Sequence, residues 1–172
     1  MIQPAILWKD ELSKAFNRKL YTQEYFWFEG GIDNYEREIK EEADKYQFAI
    51  VESGQVIGFI SFRVDWYCSC AYNFGLIKFL PYYQGHKVYL SPKDSTPKMV
   101  SAIREVIRMI EGFNLHRIDF RCVGGNPAEK GYDGILKMFH GKYELRKIDF
   151  RDNIKDRQGK YHDTKMYELI RR

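Results

Sequence analysis

Apolar residues recur at helical spacing in several stretches of the chain, and this periodicity predicts helices. In the first stretch, Ile6, Leu12 and Phe16 share one helical face. The third predicted helix, 97–111, has the clearest bounds, because Thr96-Pro97 is typical of a helix start and Gly112 of a helix end. The predicted helices cover 5–20, 32–46, 97–111 and 128–138.

Between the helices, short segments rich in β-branched and aromatic residues are bounded by turn residues and predict strands. The predicted strands cover 47–52, 56–66, 71–80, 87–90, 117–123, 143–149 and 160–170. Two helices followed by strands, and then helices alternating with strands, predict an α+β fold with a mostly antiparallel central sheet flanked by helices. With no repeat or linker in sight, we expect a single domain over 1–172.

The amino-acid composition limits the kinds of partner that the protein is expected to bind. The 28 Lys and Arg residues outnumber the 24 Asp and Glu residues only slightly and are scattered, so nucleic acid is an unlikely partner and a small anion suits the charge better. The three Cys and four His do not cluster at metal-binding spacing, which argues against a metal site. An odd number of Cys without a secretory pattern argues for free thiols in a reducing compartment. The first residues contain no long apolar run, so we expect no membrane association and a cytoplasmic location.

Several short motifs in the second half of the chain occur in a fixed order. The stretch Asn114-Leu-His-Arg-Ile-Asp-Phe-Arg-Cys122 opens a predicted strand, and Asn126 follows four residues later. Lys137-Met-Phe139, Gly159-Lys-Tyr-His-Asp163 and Tyr167-Glu-Leu169 come next. This set resembles the GNAT N-acetyltransferase superfamily, and most closely the enzymes that acetylate the N-terminal alanine or serine of ribosomal proteins. The resemblance implies the GNAT acyltransferase fold, acetyl-CoA as co-substrate, an amine acceptor and direct attack in a ternary complex.

The resemblance also implies a pyrophosphate-binding loop just before the main helix, and two segments are candidates. Pro81–Lys87 contains Gly85 but lies far from the helix, whereas Pro92–Lys98 is well placed but has no glycine. Free amide groups at a helix N-terminus bind phosphate, which favours the second segment and makes 82–92 an insertion. The expected cofactor-binding residues are Leu90, Ser95, Thr96, Lys98, Met99 and Asn126.

Acetyl transfer requires a base for the amine and benefits from an acid for the leaving thiolate. By resemblance, Tyr132 takes the place of the acid; packing in the core is its structural alternative. Asp65 is the favoured base, because Trp66 and Tyr67 would partly desolvate it and raise its pKa. Glu29, Glu52 and a water chain are the alternatives.

The aromatic segment 25–31 is either a wall of the acceptor pocket or part of a helix–helix core, and the sequence favours neither. Two other function classes compete with the enzyme. One is a catalytically inactive GNAT-fold binding module, which the missing loop glycines favour; the other is an RNA-associated protein, which the scattered charge disfavours. The acceptor is not specified, and both a monomer and a homodimer are compatible with the sequence.

Overall fold

The computed structural model describes residues 1–18, 39–80, 83–84, 87–88, 95–126, 128–139, 141–156 and 158–172. The helices are a 3-10 turn at Ala5–Trp8, α1 (Lys9–Asn17), α2 (Ser95–Gly112) and α3 (Ala128–Met138). The strands are β1 (Ile2–Pro4), β2 (Lys45–Glu52), β3 (Gln55–Asp65), β4 (Cys70–Lys78), β5 (Tyr83–Gln84), β6 (Lys87–Val88), β7 (Arg117–Val123), β8 (Tyr143–Lys155) and β9 (Tyr161–Arg171).

One seven-stranded sheet organises this part of the chain, in the order β1-β2-β3-β4-β7-β9-β8. Every neighbouring pair is antiparallel except β4 and β7, which run parallel. The strands β5 and β6 form a separate two-stranded hairpin. The predicted α+β class and mostly antiparallel sheet are therefore confirmed.

Strand alternation assigns the two faces of the sheet to different helices. On one face, Phe16 of α1 packs edge-to-face against Phe59 and Phe79, at centroid distances of 5.6 and 5.3 Å. On the other face, residues such as Phe62 of β3 share a core with Val106 and Ile110 of α2 and with Leu136 of α3. The sheet thus separates α1 from the pair α2 and α3.

The helices predicted for the first 46 residues are only partly correct. Helix α1 is shorter than the predicted 5–20, because Ile2–Pro4 adds an edge strand to β2 and Ala5–Trp8 forms a 3-10 turn. The predicted helix over 32–46 is wrong at its end, where β2 already begins at Lys45. Residues 19–38 lie outside the described part of the chain.

Tertiary contacts explain why 39–46 is not helical. The guanidinium of Arg63 binds Asp44 at 2.6 Å and Glu42 at 2.7 Å, which holds this segment against β3. Tyr46 stacks on Phe62 at a centroid distance of 5.0 Å. Paired charges and aromatic packing therefore override the helical spacing of Tyr35, Ile39 and Ala43.

The predicted strand over 87–90 is corrected to a shorter one. Lys87–Val88 pairs with Tyr83–Gln84 rather than with the main sheet, which fits an insertion at 82–92. Residues 89–94 lie outside the described part.

Gly58 lets α2 approach the sheet closely. A Cβ at this position would lie 2.7 Å from the carbonyl oxygen of Ile77 and 2.9 Å from Sδ of Met99 on α2. Met99 is buried, so neither neighbour has open space into which it can move.

We expect Gly58→Ala to lower the free energy of unfolding by about 1–3 kcal/mol, since overpacking a close backbone contact strains the core. The matched control is Gly131→Ala in α3, where an added Cβ meets nothing within 4 Å. That variant should gain about 0.5–1 kcal/mol from helix propensity. Urea unfolding measures both changes, and equal effects at the two positions would contradict the close-approach argument.

Candidate active site

A gap between β4 and β7 is the main irregularity of the sheet. The two parallel strands pair at their first residues alone, Cys70 with Arg117 and Ala71 with Ile118. Beyond these positions the described strands make no further pairs, so the sheet opens toward the C-terminal ends of β4 and β7. A splayed pair of parallel strands leaves backbone groups available to a ligand.

A β-bulge in β4 lies where the gap opens. The register with β3 changes from Tyr72 opposite Arg63 to Gly75 opposite Ser61, which inserts one extra residue into β4. Asn73 adopts a left-handed φ of 53° within this bulge. The bulge changes the direction of β4, and it lies where the pairing of β4 with β7 ends.

The direction of one hydrogen bond shows which amides of β4 face the gap. The amide of Phe79 donates to the carbonyl oxygen of Ile57 at 2.9 Å and therefore points toward β3. Successive amides of a strand point to opposite sides. The amide of Leu76, three residues earlier, consequently points away from β3 and into the gap.

An apolar cavity of about 40 Å³ lies beside this gap, on the face covered by α2 and α3. Phe74 and Leu76 of β4, Phe120 of β7 and Val106 of α2 contribute to its lining. The rings of Phe74 and Phe120 meet edge-to-face across the gap, at a centroid distance of 6.1 Å. This side of the gap is therefore dry and lined by apolar side chains.

Tyr132 of α3 also lines the cavity. Its ring lies 5.1 Å from that of Phe120 and 5.9 Å from that of Tyr167, measured between centroids. Burial raises the pKa of Tyr132, so its phenol stays protonated at neutral pH. The predicted acid thus lies beside the gap as a proton donor, although its catalytic role stays a prediction.

Asp119 of β7 lies on the opposite face of the sheet. It directly follows the last residue of β7 that pairs with β4, and its side chain points away from α2 and α3 because Ile118 and Phe120 point toward them. One carboxylate oxygen, Oδ2, lies 3.0 Å from Nε of Arg117 and 3.6 Å from Sγ of Cys70.

The other oxygen of Asp119, Oδ1, is buried and has no hydrogen-bond partner among the described residues. The residue is only 8% exposed, and burial raises the pKa of its carboxyl group more than Arg117 lowers it. A buried carboxylate with a raised pKa at a gap in a sheet is a candidate general base. The sequence analysis missed this residue, since an acidic residue in an alternating strand is usually solvated.

The expected rise in the pKa of Asp65 is wrong. Its Oδ1 accepts a hydrogen bond from the amide of Cys68 at 2.8 Å, and this bond lowers the pKa of Asp65. Trp66 and Tyr67 are 53% and 99% exposed and do not desolvate the carboxylate. Asp65 therefore stabilises the turn between β3 and β4.

The alternative bases differ in position. Glu52, at the end of β2, lies 3.5 Å from Nζ of Lys98 through Oε1, while its Oε2 is buried without a described partner. It thus faces the start of α2 rather than the gap. Glu29 and the aromatic segment 25–31 lie outside the described residues.

Five of the six expected cofactor-binding residues are described: Ser95, Thr96, Lys98 and Met99 lie in the first turns of α2, and Asn126 follows β7. The helix begins at Ser95, which confirms a start near Thr96. Lys98 is half-exposed in its ion pair with Glu52, and Met99 is buried against Gly58. The amide of Asn126 donates to Val123 at 3.1 Å and its carbonyl accepts from Glu129 at 2.9 Å, which builds the turn into α3. Leu90 lies outside the described residues.

The thiols are free, with Cys68 exposed and Cys70 and Cys122 buried. Within the described ranges, no group of three His, Cys, Asp or Glu side chains is arranged to hold a metal ion. None of the described helices is long and apolar enough to cross a membrane.

Comparison with known proteins assigns the fold. No protein-family model and no curated protein matches this sequence. Among solved structures, a probable acetyltransferase aligns with 98% of this chain and 91% of its own, at 17% identity and a TM-score of 0.61. A spermidine N-acetyltransferase chimera from Vibrio cholerae and hSSAT aligns with 99% of this chain and 96% of its own, at 16% identity and a TM-score of 0.57.

Some of the other matches cover a smaller part of this chain. A probable GNAT-family acetyltransferase from Chromobacterium violaceum is 15% identical with a TM-score of 0.52; the alignment covers 75% of this chain and only 60% of that longer protein. Ribosomal-protein-alanine N-acetyltransferases from Brucella melitensis and Escherichia coli also match, at 12% and 11% identity. The chain therefore has the GNAT acetyltransferase fold, as predicted.

We expect the stability of Asp119→Asn to rise relative to the wild type as the pH increases. Because the folded pKa is raised, the wild type loses stability as the pH rises from the ordinary aspartate value of 3.8 through the folded value. Asparagine does not titrate, so the difference in unfolding free energy should widen over this window and then stay constant. Urea unfolding between about pH 4 and 7 measures it. A difference that does not change with pH would show that Asp119 is not desolvated.

Proposed function

We propose that the protein is an N-acetyltransferase that moves the acetyl group of acetyl-CoA to a primary amine, by direct attack of the amine within a ternary complex. When bound, acetyl-CoA supplies the acetyl group as an activated thioester. The observation that carries the proposal is the gap between β4 and β7, which has Tyr132 beside it on one face of the sheet and Asp119 on the other.

Asp119 acts as the general base in this proposal. A primary amine is mostly protonated at neutral pH and must lose a proton before it can attack. Burial raises the pKa of the Asp119 carboxyl group toward that of the amine, and its Oδ1 is buried without a hydrogen-bond partner among the described residues. Arg117 holds the other oxygen and fixes the orientation of the carboxylate.

The amide of Leu76 is the proposed donor to the negative charge that develops on the carbonyl oxygen. It points into the gap just beyond the bulge, and the bulge keeps β7 from pairing with this stretch of β4. A preorganised backbone donor in a dry site stabilises such a charge strongly. Tyr132, on the same dry side, donates a proton to the leaving thiolate.

The residues at the start of α2 fit the anionic end of acetyl-CoA. The first amides of an α-helix have no partner within the helix and bind phosphate oxygens. Ser95 and Thr96 supply these amides, and Lys98 adds a charge whose pairing with Glu52 is exposed and therefore weak. Leu90, Met99 and Asn126 complete the proposed cofactor-binding set. Met99 packs the start of α2 against Gly58 of the sheet.

The second candidate function is an inactive binding module, favoured by the absence of glycine from 92–98. The buried carboxylate argues for the enzyme instead. An unsatisfied buried polar atom costs about 1–3 kcal/mol, and such costs concentrate at functional sites. We also expect the protein to work in the cytoplasm.

Thermal unfolding with and without acetyl-CoA, combined with a turnover assay, tests the proposal. A hundredfold excess over Kd should raise the Tm by about 5–10 °C. Tyr132→Phe should keep this shift and lose about tenfold or more in kcat, since it removes one proton donor and no binding group. A shift together with turnover of an amine would support the enzyme, and no shift at millimolar acetyl-CoA would favour the binding module.

Replacing each aspartate by asparagine in turn distinguishes the proposed base, Asp119, from Asp65, which stabilises a turn. Asp119→Asn should lower kcat by about 10²–10⁴-fold, the usual contribution of general base catalysis. Asp65→Asn is the matched control and should leave kcat within about twofold, because Asp65 supports an exposed turn. A larger loss at Asp65 than at Asp119 would refute the assignment of the base.

A further inference from the structure

The two edges of the main sheet differ in how well they are protected. At one edge, β1 is three residues long, and the amide of its Ile2 donates to Oε2 of Glu105 on α2 at 3.1 Å. At the other edge, β8 is 13 residues long, and no described strand pairs with its outer side. Every residue from 144 to 153 is exposed. A long unpaired edge is a template for another strand, and β8 is such an edge.

The side chains of β8 protect this edge only weakly. Leu145, Ile148 and Phe150 are 42%, 36% and 36% exposed, although they are apolar. Lysine on an edge strand usually prevents pairing with another chain, and β8 carries Lys147. Its charge is partly neutralised, because Nζ of Lys147 lies 2.5 Å from Oδ1 of Asp133 on α3. The edge therefore combines exposed apolar side chains with a charge that already has a counterion.

One hydrogen bond shows which backbone groups of β8 point outward. The amide of Arg172 donates to the carbonyl oxygen of Lys142 at 3.2 Å, so the backbone groups of Lys142 face β9. Successive residues of a strand direct their backbone groups to opposite sides. The even-numbered residues of β8 ahead of its bulge therefore face β9, whereas the amide and carbonyl groups of Lys147 and Asp149 face outward.

We propose that β8 is a dimerisation edge, which pairs antiparallel with β8 of a second copy of this chain about a two-fold axis at Ile148. Such an axis brings the same strand of both copies together and makes every contact occur twice. Lys147 then lies opposite Asp149 of the second copy, and Arg146 lies opposite Phe150 of the second copy. This inference goes beyond the proposed acetyl transfer and does not depend on it.

The backbone groups of the two copies match in this register. Lys147 and Asp149 both point outward, so each Lys147 exchanges both N–H···O bonds with Asp149 of the other copy. The backbone groups of Ile148 face β9, which makes Ile148 and its copy the non-hydrogen-bonded pair on the axis. Side chains approach each other most closely in a pair of that kind.

The side chains match as well. On the face of α2 and α3, each Lys147 meets an Asp149 of opposite charge. On the other face, Ile148 meets its own copy, and each Arg146 lies opposite the ring of a Phe150. A guanidinium group and an aromatic ring attract each other. Every direct pair near the axis is therefore complementary, which is the argument for a second copy as the occupant of this edge.

Other positions of the axis in the regular part of β8 are less favourable. An axis at a charged residue would bring two like charges together at its centre, and this excludes Glu144, Arg146, Lys147 and Asp149. An axis at Leu145 would leave Ile148 and Phe150 outside the paired segment, and an axis at Phe150 would meet the bulge that follows it. Because a single pair of strands buries little surface, we expect a reversible dimer with a micromolar Kd.

Sedimentation equilibrium of the whole chain between about 1 and 500 µM tests the proposal. Lys147→Asp and Asp149→Lys each turn both Lys–Asp pairs of the dimer into pairs of like charge. In an equimolar mixture of the two variants, a heterodimer again has opposite charges at both positions. Lys137→Asp is the matched control, since it makes the same change of charge at an exposed residue of α3. Circular dichroism verifies that each variant is folded.

We expect the wild type to change from monomer to dimer within this range of concentration. Each single reversal should raise the Kd at least about tenfold, because it replaces two attractive pairs by two repulsive ones. The mixture should recover a Kd within about threefold of the wild type, and Lys137→Asp should stay within about twofold.

Three outcomes would overturn the proposal. A wild type that stays monomeric at every concentration would show that a second copy does not occupy the edge, which would leave it to an extended segment of another protein. Dimerisation that neither reversal weakens would place the interface elsewhere on the chain. Two folded variants that do not recover in the mixture would refute the axis at Ile148. The turnover assay is separate, so a failure of acetyl transfer leaves each of these results unchanged.

Discussion

The break in backbone pairing between β4 and β7 is the constraint on which the rest of the structure depends. A continuous sheet would satisfy the amides of both strands and leave no path between its faces. The bulge at Asn73 prevents this, because an extra residue with a left-handed backbone shifts the register with β3 at the position where the parallel pairing ends. The site therefore arises from a local backbone irregularity, and the side chains around it are arranged in relation to that gap.

Among the described residues, α2 and α3 pack beside the gap on one face of the sheet. On the face of α2 and α3, aromatic rings bridge the separated strands: Phe74 contacts Phe62 and Phe120, and Phe120 stacks on Tyr167 at 5.1 Å. This packing compensates for the missing backbone hydrogen bonds with apolar and aromatic contacts. The opposite face carries Cys70, Arg117, Asp119 and Glu168 instead, so one face is dry and the other is charged at the same point of the sheet.

Much of the fold could be predicted from the sequence, because local signals and tertiary packing agree there. The strand Arg117–Val123 and the helix Ala128–Met138 have the predicted bounds. The failure at 39–46 has a tertiary cause, since Arg63 lies far along the chain from the Asp44 that it binds. The bulge had one local signal, because asparagine is depleted in strands and enriched at left-handed φ. Its position still depends on the register between β3 and β4, which the local sequence does not show.

The site was less predictable than the fold for a related reason. In Ile118-Asp-Phe-Arg-Cys122, the alternation of apolar and charged residues indicates a strand with one solvated face, and Arg121 is indeed exposed. Asp119 departs from that pattern, because its burial depends on neighbours contributed by β4 and β9. The burial of an acidic residue at a point where two strands separate can thus be predicted only once the order of the strands is known.

In the proposed reaction, the acid and the base lie on opposite faces of the sheet, which separates two kinds of recognition. In that proposal, residues at the start of α2 and beside the dry cavity hold the nucleotide end and the flexible arm of acetyl-CoA. The amine then approaches the charged face around Asp119, since a base can take a proton only from a group within hydrogen-bond distance. In this proposal, the glycine-poor segment before α2 affects the affinity for the acetyl donor, whereas the charged face around Asp119 affects the choice of acceptor.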